Sequence, residues 1–397
     1  MKRFISVILC AILTLVPFCV SAEEQAGVYP YDTDIASFWA IPAAAEYVPD
    51  DDAKALLLME FSTGKVLFRK NELEHLPMAS VTKVMSTLLV VEAIDSGKIS
   101  LDDPVTASEN AASMGGSQIF LEAGETMSVR DLLKSLVVVS ANDATVALGE
   151  HLCGSEASFI AEMNLRASEL GCANTHFVNT NGLPAEGHYS CALDIAVMTR
   201  ELMKHPMIFE YTGIWMDTIR NGSFGLSNTN KLIRFYNGAT GMKTGFTTDA
   251  GFCLSGTAAR DGMQLIAVVL GCSTSDKRFA AAKSMLDYGY ANYCVVEPEI
   301  EPPEPLWVRK GTVSAVPLTV ERVSVLTEKT SRDGIEPRIE LPEYTVAPLS
   351  KGDEVGSVVY SLGGEELARA PIRVADTVPE MTLSVLLGQI LAHVFRL

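Results

Sequence analysis

The chain has 397 residues, 48% of them hydrophobic, and carries a formal net charge of −18 at pH 7. That length and apolar content are enough for a large core and point to two domains. No basic stretch offsets the acidic balance, which argues against nucleic acid as a partner.

Lys2 and Arg3 precede the run "FISVILCAILTLVPFCV", which ends in "SA" before "EEQAG". A basic start, an apolar middle and small residues before a cut predict a secretory signal peptide over 1–22, cleaved after Ala22. Phe18 is too bulky to precede a lipidated Cys19, and an uncleaved membrane anchor is the alternative reading. Removing Lys2 and Arg3 takes the charge from −18 to −20. Six cysteines then remain (Cys153, Cys172, Cys191, Cys253, Cys272 and Cys294), with no C-x-x-C pair among them. They sit in apolar stretches and are expected to be free thiols serving as small core residues. Neither they nor the histidines have ligand spacing, so no metal or other cofactor is expected.

Residues 23–50 have no clear period and form a leader or linker. "AKALLLMEFSTGKVLFRKN" then predicts two strands turning at Ser62, Thr63 and Gly64. From Ser80 to about residue 205 the spacing of apolar residues is helical in "VTKVMSTLLVVEAIDSGK", "SVRDLLKSLVVVSANDATVALGEHLCG" and "SEASFIAEMNLRASELG". Strand signals return in "AGFCLSGTAARDGMQLIAVVLG", a hairpin around Arg260, Asp261 and Gly262, followed by the helix "DKRFAAAKSMLDYGYANY". This order builds an α/β (α+β) domain over 51–295, with one antiparallel sheet made from both ends and a helical block between them.

"VVEPEIEPPEPLW" marks a proline and glutamate linker over 296–306. Short β-type runs between turn residues follow, predicting a small all-β domain over 307–376. In the segment 380–397, Leu383, Leu386, Leu387, Ile390, Leu391, Val394 and Leu397 share one helical face, with Thr382, Gln389, His393 and Arg396 opposite. Such a helix reaches about 25 Å, short of the ~30 Å hydrocarbon core, and suits the membrane interface better than a span. The alternative is packing on the β domain or on a partner.

The chemistry centres on "MASVTKVMS". Ser80 and Lys83 stand one helical turn apart, so hydroxyl and amine share a face. Serine is a weak nucleophile until a base takes its proton, and lysine is a base only when burial or a second cation keeps it neutral. S-x-x-K alone is weak evidence. Two further motifs change the balance. "SAND" supplies Ser140 for proton relay and Asn142 to hold a substrate carbonyl. "GMKTGFTT" places Lys243, Thr244 and Gly245 at the start of a predicted strand. Lys243 would depress Lys83 and, with Thr244, bind a carboxylate; Gly245 leaves room for a ligand along the strand. Together the motifs mark a serine acyl-transfer site with Lys83 as the base.

This trio resembles that of the low-molecular-mass penicillin-binding proteins, the serine-type D-alanyl-D-alanine carboxypeptidases. "GGSQIFLEAGE", "SANDATVALGEHLCGSEASFIAEMN", "THFVNTNGLPAEGHYSCALDIAVM" and "APLSKGDEVG" look like the family too, so the resemblance runs from about residue 50 to the end. It implies a transpeptidase/β-lactamase-like fold followed by a small β-sandwich. The implied substrate is a peptidoglycan stem peptide ending in D-Ala-D-Ala, with β-lactams as covalent inhibitors. Ser80 would be the nucleophile, Lys83 its base, and Ser140 and Lys243 part of the proton network. Lys243, Thr244, Gly245 and Asn142 would bind substrate, and the backbone N–H groups of Ser80 and Phe246 would form the oxyanion hole. Location at the outer face of the cytoplasmic membrane is implied, held there by residues 380–397.

Phe246 departs from relatives with His after K-T-G, and Cys191 stands where a small residue is expected. His188 and Asp194 do not make a Ser-His-Asp triad, because no G-x-S-x-G elbow surrounds any serine. His188 is expected to hold its loop and Cys191 to fill core. A class A-like β-lactamase would need E-x-x-L-N after the second motif, and "GCANTHFVNTNGLPAEGHYS" offers only Glu186, out of context. A D,D-transpeptidase or endopeptidase and a non-catalytic wall-binding protein are the remaining alternatives.

Overall fold

The computed structural model describes Tyr47, Pro49 and residues 52 to 395. The predicted signal peptide over 1–22, nearly all of the 23–50 leader, Arg396 and Leu397 lie outside the described residues.

Strands Ala55–Glu60 (β1) and Val66–Lys70 (β2) open the fold as an antiparallel pair. The turn between them closes on the buried Glu60 carboxylate, which accepts from the N–H and hydroxyl groups of Ser62 and Thr63. The helical lobe follows: Lys83–Asp95 (α1), Val129–Val138 (α2), Asn142–Cys153 (α3), Glu156–Glu169 (α4) and Ala192–Met203 (α5). Ser128 and Ser155 cap α2 and α4 by accepting the N–H groups of Asp131 and Ser158, satisfying otherwise orphaned donors. Not all of the predicted helical block is helix. Between α1 and α2 the chain makes a small hairpin, Pro104–Thr106 with Thr126–Ser128, and an intervening loop.

Strands Ala239–Thr247 (β3), Gly251–Arg260 (β4) and Met263–Cys272 (β5) complete one five-stranded antiparallel sheet, in the order β2-β1-β5-β4-β3. The two ends of the domain therefore meet through β1 and β5, as the element order predicts. Alternate β1 residues serve two cores. Ala55, Leu57 and Met59 face the helical lobe, whereas Leu56 and Leu58 meet Phe279, Met285 and Leu286 of the helix Ser275–Asn292 (α6). Period-two alternation sends successive side chains to opposite faces, and both faces are covered, so the strand reads as continuously apolar. Helix α1 lies between sheet and lobe, and its residues from Lys83 to Val91 are all buried.

The K-T-G motif sits in the middle of β3 rather than at its start, because pairing with β4 extends back to Ala239. Strand Tyr293–Val296 (β6) pairs antiparallel with Val325–Glu328 (β10), so a continuous strand crosses the 295/296 boundary expected from composition. Leu326 of that ribbon packs into the catalytic core. The C-terminal region is two small sheets around their own core. Leu306–Arg309 (β7) lies between Ala315–Val316 (β8) and Tyr344–Val346 (β12). Leu318–Val320 (β9), Ile335–Glu340 (β11), Glu354–Leu362 (β13) and Glu365–Val374 (β14) form the other sheet. Val308, Val316, Val358, Ala370 and Ile372 are among the residues packed between them. Helix Leu383–Phe395 (α7) follows, and no described helix is long and apolar enough to cross a membrane. The six cysteines are free thiols.

Candidate active site

Ser80 lies in a short 3-10 turn, Ala79–Thr82, that leads into α1, and Lys83 is the first residue of that helix. The turn brings Lys83 Nζ to 3.0 Å from Ser80 Oγ. The same amine donates to Asn142 Oδ1 at 2.6 Å and to the Asn181 carbonyl at 2.8 Å. Three acceptors favour an ammonium, but Lys83 is 0% exposed. Burial pushes its pKa well below the ordinary lysine value, and the Lys243 charge pushes the same way, with Asp143 opposing. Loss of water outweighs the local acceptors, which is the condition the sequence reading required of a lysine base.

Asn142 begins α3, directly after the break that carries Ser140. Both ends of its amide are engaged: Oδ1 by Lys83, and Nδ2 through donation to the Gly115 carbonyl at 2.6 Å. Asn142 therefore orients Lys83, and a substrate carbonyl can take Nδ2 only in place of Gly115. Ser140 is buried with φ 62°, and its hydroxyl has no hydrogen-bond partner among the described residues. Among the described residues no hydrogen bond joins Ser140 to Lys83 or Lys243. Asp143 is buried and accepts the Ile119 and Leu121 N–H groups, fixing the loop that passes Asn142.

β3 brings the third motif alongside the nucleophile turn. A Cβ on Gly245 would lie 2.7 Å from the Met78 carbonyl and 3.0 Å from the Ser80 nitrogen, so only glycine allows this approach. Lys243 is buried and its pKa is lowered to about 7, by burial first and then by Arg278. Thr244 Oγ1 is 2.7 Å from Thr229 Oγ1. Phe246 is exposed and packs on Phe252.

Three contributors were not singled out from sequence. Asn181 supplies a main-chain carbonyl to both Lys83 and Ser80, the latter at 3.3 Å. Its neighbour Gly182 has φ 86°, and a Cβ there would fall 1.9 Å from the Ala79 carbonyl. Arg278, on α6, is buried and donates to the Gly245 and Cys253 carbonyls, each at 3.0 Å. A planar trans peptide holds its N–H opposite its C=O, so this bond also orients the Phe246 N–H, away from Arg278. Thr229 reaches Thr244 from the loop before β3. N-T-N-G is visible as a turn signal, but main-chain carbonyls and a lone arginine 33 residues past K-T-G carry no local pattern.

His188 bridges Thr82 Oγ1 at 2.8 Å and the Val178 N–H at 3.0 Å, and burial lowers its pKa to about 4. It holds its loop against the nucleophile turn. Asp194 instead accepts the Asn174 N–H and the Thr175 hydroxyl. Cys191 is buried and its sulfur accepts the Asp194 N–H at the start of α5. A cleft of about 430 Å³ opens between Pro77–Ala79, the loop Gly182–Glu186, and Thr247 and Asp249. Among the described residues no group of His, Cys, Asp or Glu is arranged to hold a metal.

A serine in hydrogen-bond contact with a buried lysine, beside a strand that carries a second buried lysine, is the arrangement a serine acyl-transfer enzyme needs. The profile of the D-alanyl-D-alanine carboxypeptidase family matches residues 42–274, and that of the penicillin-binding protein 5 C-terminal domain matches 301–380. The D-alanyl-D-alanine carboxypeptidase DacF of Bacillus subtilis is 44% identical over 336 residues, which is 81% of this chain and 84% of that protein. DacC of Escherichia coli is 35% identical over 84% of this chain and 86% of its own length. The crystal structure of penicillin binding protein 5 from Haemophilus influenzae superposes with a TM-score of 0.76 at 31% identity, covering 85% of this chain and 100% of that one. The chain belongs to the D-alanyl-D-alanine carboxypeptidase family.

Proposed function

We propose that Ser80 carries out the family's reaction, serine-type D-Ala-D-Ala carboxypeptidation of peptidoglycan stem peptides. The observation that carries this is the 3.0 Å contact between Ser80 Oγ and the fully buried Lys83 amine. Neutral Lys83 takes the hydroxyl proton as Oγ bonds to the carbonyl carbon between the two D-alanines. The carbon–nitrogen bond then breaks, and the proton passes to the departing D-alanine amine. The Ser80 and Phe246 N–H groups stabilise the oxyanion, a donor typically contributing about 10²- to 10³-fold in rate. Lys243 and Thr244 hold the free carboxylate, and water then hydrolyses the acyl-enzyme.

β-Lactams are expected to acylate Ser80 and persist. A penicillin-binding protein from Listeria monocytogenes with the same fold (34% identity, TM-score 0.55) was solved in an ampicillin-bound form. Glu186 lies outside any E-x-x-L-N pattern, which speaks against β-lactamase turnover. The decisive experiment is mass analysis of products from a peptide ending in D-Ala-D-Ala, with wild type and Ser80→Ala. Release of one D-alanine by wild type alone is expected; equal activity of the variant overturns the mechanism.

The cellular placement belongs to the same proposal: export through residues 1–22, and anchoring at the outer face of the cytoplasmic membrane by α7. In support, Leu383, Leu386, Leu387, Ile390 and Leu391 are exposed, uncovered by the rest of the chain. Deleting 380–397 is expected to release the protein from membranes, and continued binding would refute the anchor.

A further inference from the structure

On the outer face of the β8-β7-β12 sheet, Trp307 is paired with Tyr344 on one side and Ala315 on the other. The next row holds Arg309 beside Val346. Leu306 and Val308 alternate inward to the core, so the outward row is left bare. Trp307 is 63% exposed, Val313 49% and Val346 46%, and the Arg309 guanidinium lies 3.5 Å over the Tyr344 ring. Exposed aromatic and apolar side chains grouped on one sheet face in this way mark an interaction surface.

The patch lies beside the root of α7. Met381 N–H donates to the Lys310 carbonyl at 2.7 Å, Thr312 N–H to the Pro379 carbonyl at 3.0 Å, and Gly311 bridges Glu380. These bonds fix the departing chain to the turn that follows Arg309, two residues before α7 begins at Leu383. If α7 lies in a bilayer interface, this edge of the sheet is held at the headgroup level beside it.

We infer that the Trp307–Tyr344–Arg309 face is a second bilayer contact that works together with α7. The inference rests on the anchoring proposal above. Trp and Tyr favour the interface because an apolar ring and a polar tip are both satisfied there. Charge agrees: Arg309 and Lys310 are balanced locally by Glu343 and Glu380, whereas the chain as a whole carries −18. The face is thus spared the repulsion from anionic lipid that the rest of the acidic surface meets. Two contacts also set orientation, since a lone interfacial helix leaves the sandwich free to tilt.

The test uses the full chain with Trp39→Phe and Trp215→Phe, leaving Trp307 as the single indole. Vesicles of phosphatidylcholine with phosphatidylglycerol, with and without brominated acyl chains, are added. Vesicle-bound protein is expected to show blue-shifted Trp307 emission that brominated lipid quenches. In the otherwise native chain, Trp307→Ala with Tyr344→Ala is expected to weaken vesicle binding by roughly tenfold while hydrolysis of a soluble peptide is unchanged. Binding with unshifted, unquenched emission overturns the inference and leaves the helical anchor standing. Absence of vesicle binding by the full chain overturns the anchor itself, and this inference with it. A Trp307 response to purified glycan strands but not to brominated lipid overturns it in favour of a sugar platform.

Discussion

Around Ser80, the basic side chains Lys83, Lys243 and Arg278 are buried and hydrogen-bonded to carbonyls, an amide and hydroxyls, with no carboxylate in direct contact among the described residues. On the C-terminal sandwich, Arg369 contacts Glu340 and Glu366, and Arg373 contacts Glu321 and Glu354, all at the surface. The surface pairs are charge-complementary and immersed in water, where screening leaves them little to contribute. The buried cations lack that compensation, so each lowers the next one's affinity for protons. Stability is given up at the site so that a lysine can serve as a base at neutral pH.

The largest effect should come from removing the nucleophile or its base. Ser80→Ala is expected to abolish covalent labelling by penicillin, and Lys83→Ala to slow acylation by about 10²- to 10⁴-fold, both followed by labelled-penicillin gel assay. Next is Gly245→Ala. The new Cβ meets backbone at 2.7 Å and pushes β3 away from the Ser80 turn. Acylation should nearly cease and the domain lose about 1–3 kcal/mol by denaturant unfolding.

Arg278→Ala sharpens the comparison, because it removes a cation and frees the Gly245–Phe246 peptide. Acylation should fall by about 10- to 100-fold, on the scale of weakening one oxyanion donor. Lys243 should also hold its proton to higher pH, since Arg278 contributes to lowering it to about 7. The alkaline limb of carboxylate-dependent binding then moves upward, and Arg278→Lys should restore part of both effects. A slower enzyme with an unmoved pH profile would reduce Arg278 to a packing role.

His188 gives a smaller, pH-defined effect. Its folded pKa of about 4 lies below the ordinary 6.5, so between those values the unfolded chain binds more protons. Stability therefore rises with pH across that window and is lost as pH falls through it, by at most about 3 kcal/mol. His188→Gln should flatten that slope in urea titrations run from pH 4 to 7. The smallest effect is expected at the surface: Arg369→Ala should leave the thermal midpoint unmoved within error, and a clear drop would show that the sandwich relies on its ion pairs.

Much of this was legible in the chain. The β1–β2 turn, the hairpin at Asp261 and the helices flanking S-A-N-D follow from short-range spacing, and the observed elements agree with it. The hairpin and loop between α1 and α2 fall between the stretches with helical spacing, and apolar residues there pack on neighbours without a period of their own. The pairing of β6 with β10 was hidden because a proline and glutamate run looks like a break, whatever its flanks pair with. Asn142 was assigned catalytic and substrate-binding roles from its motif; its engagement by both Lys83 and Gly115 depends on a loop 27 residues away and was not legible.

The amino-acid sequence by itself determined which groups are available for chemistry. Ser80 and Lys83 are bound to meet because one turn of helix separates them. Only the tertiary structure decided that Lys83 is dry, that the Asn181 carbonyl and Asn142 amide aim it, and that Arg278 sits behind the Gly245 peptide. Proton affinity depends on how much water and which charges surround a group, and those surroundings come from segments up to roughly two hundred residues apart in the chain.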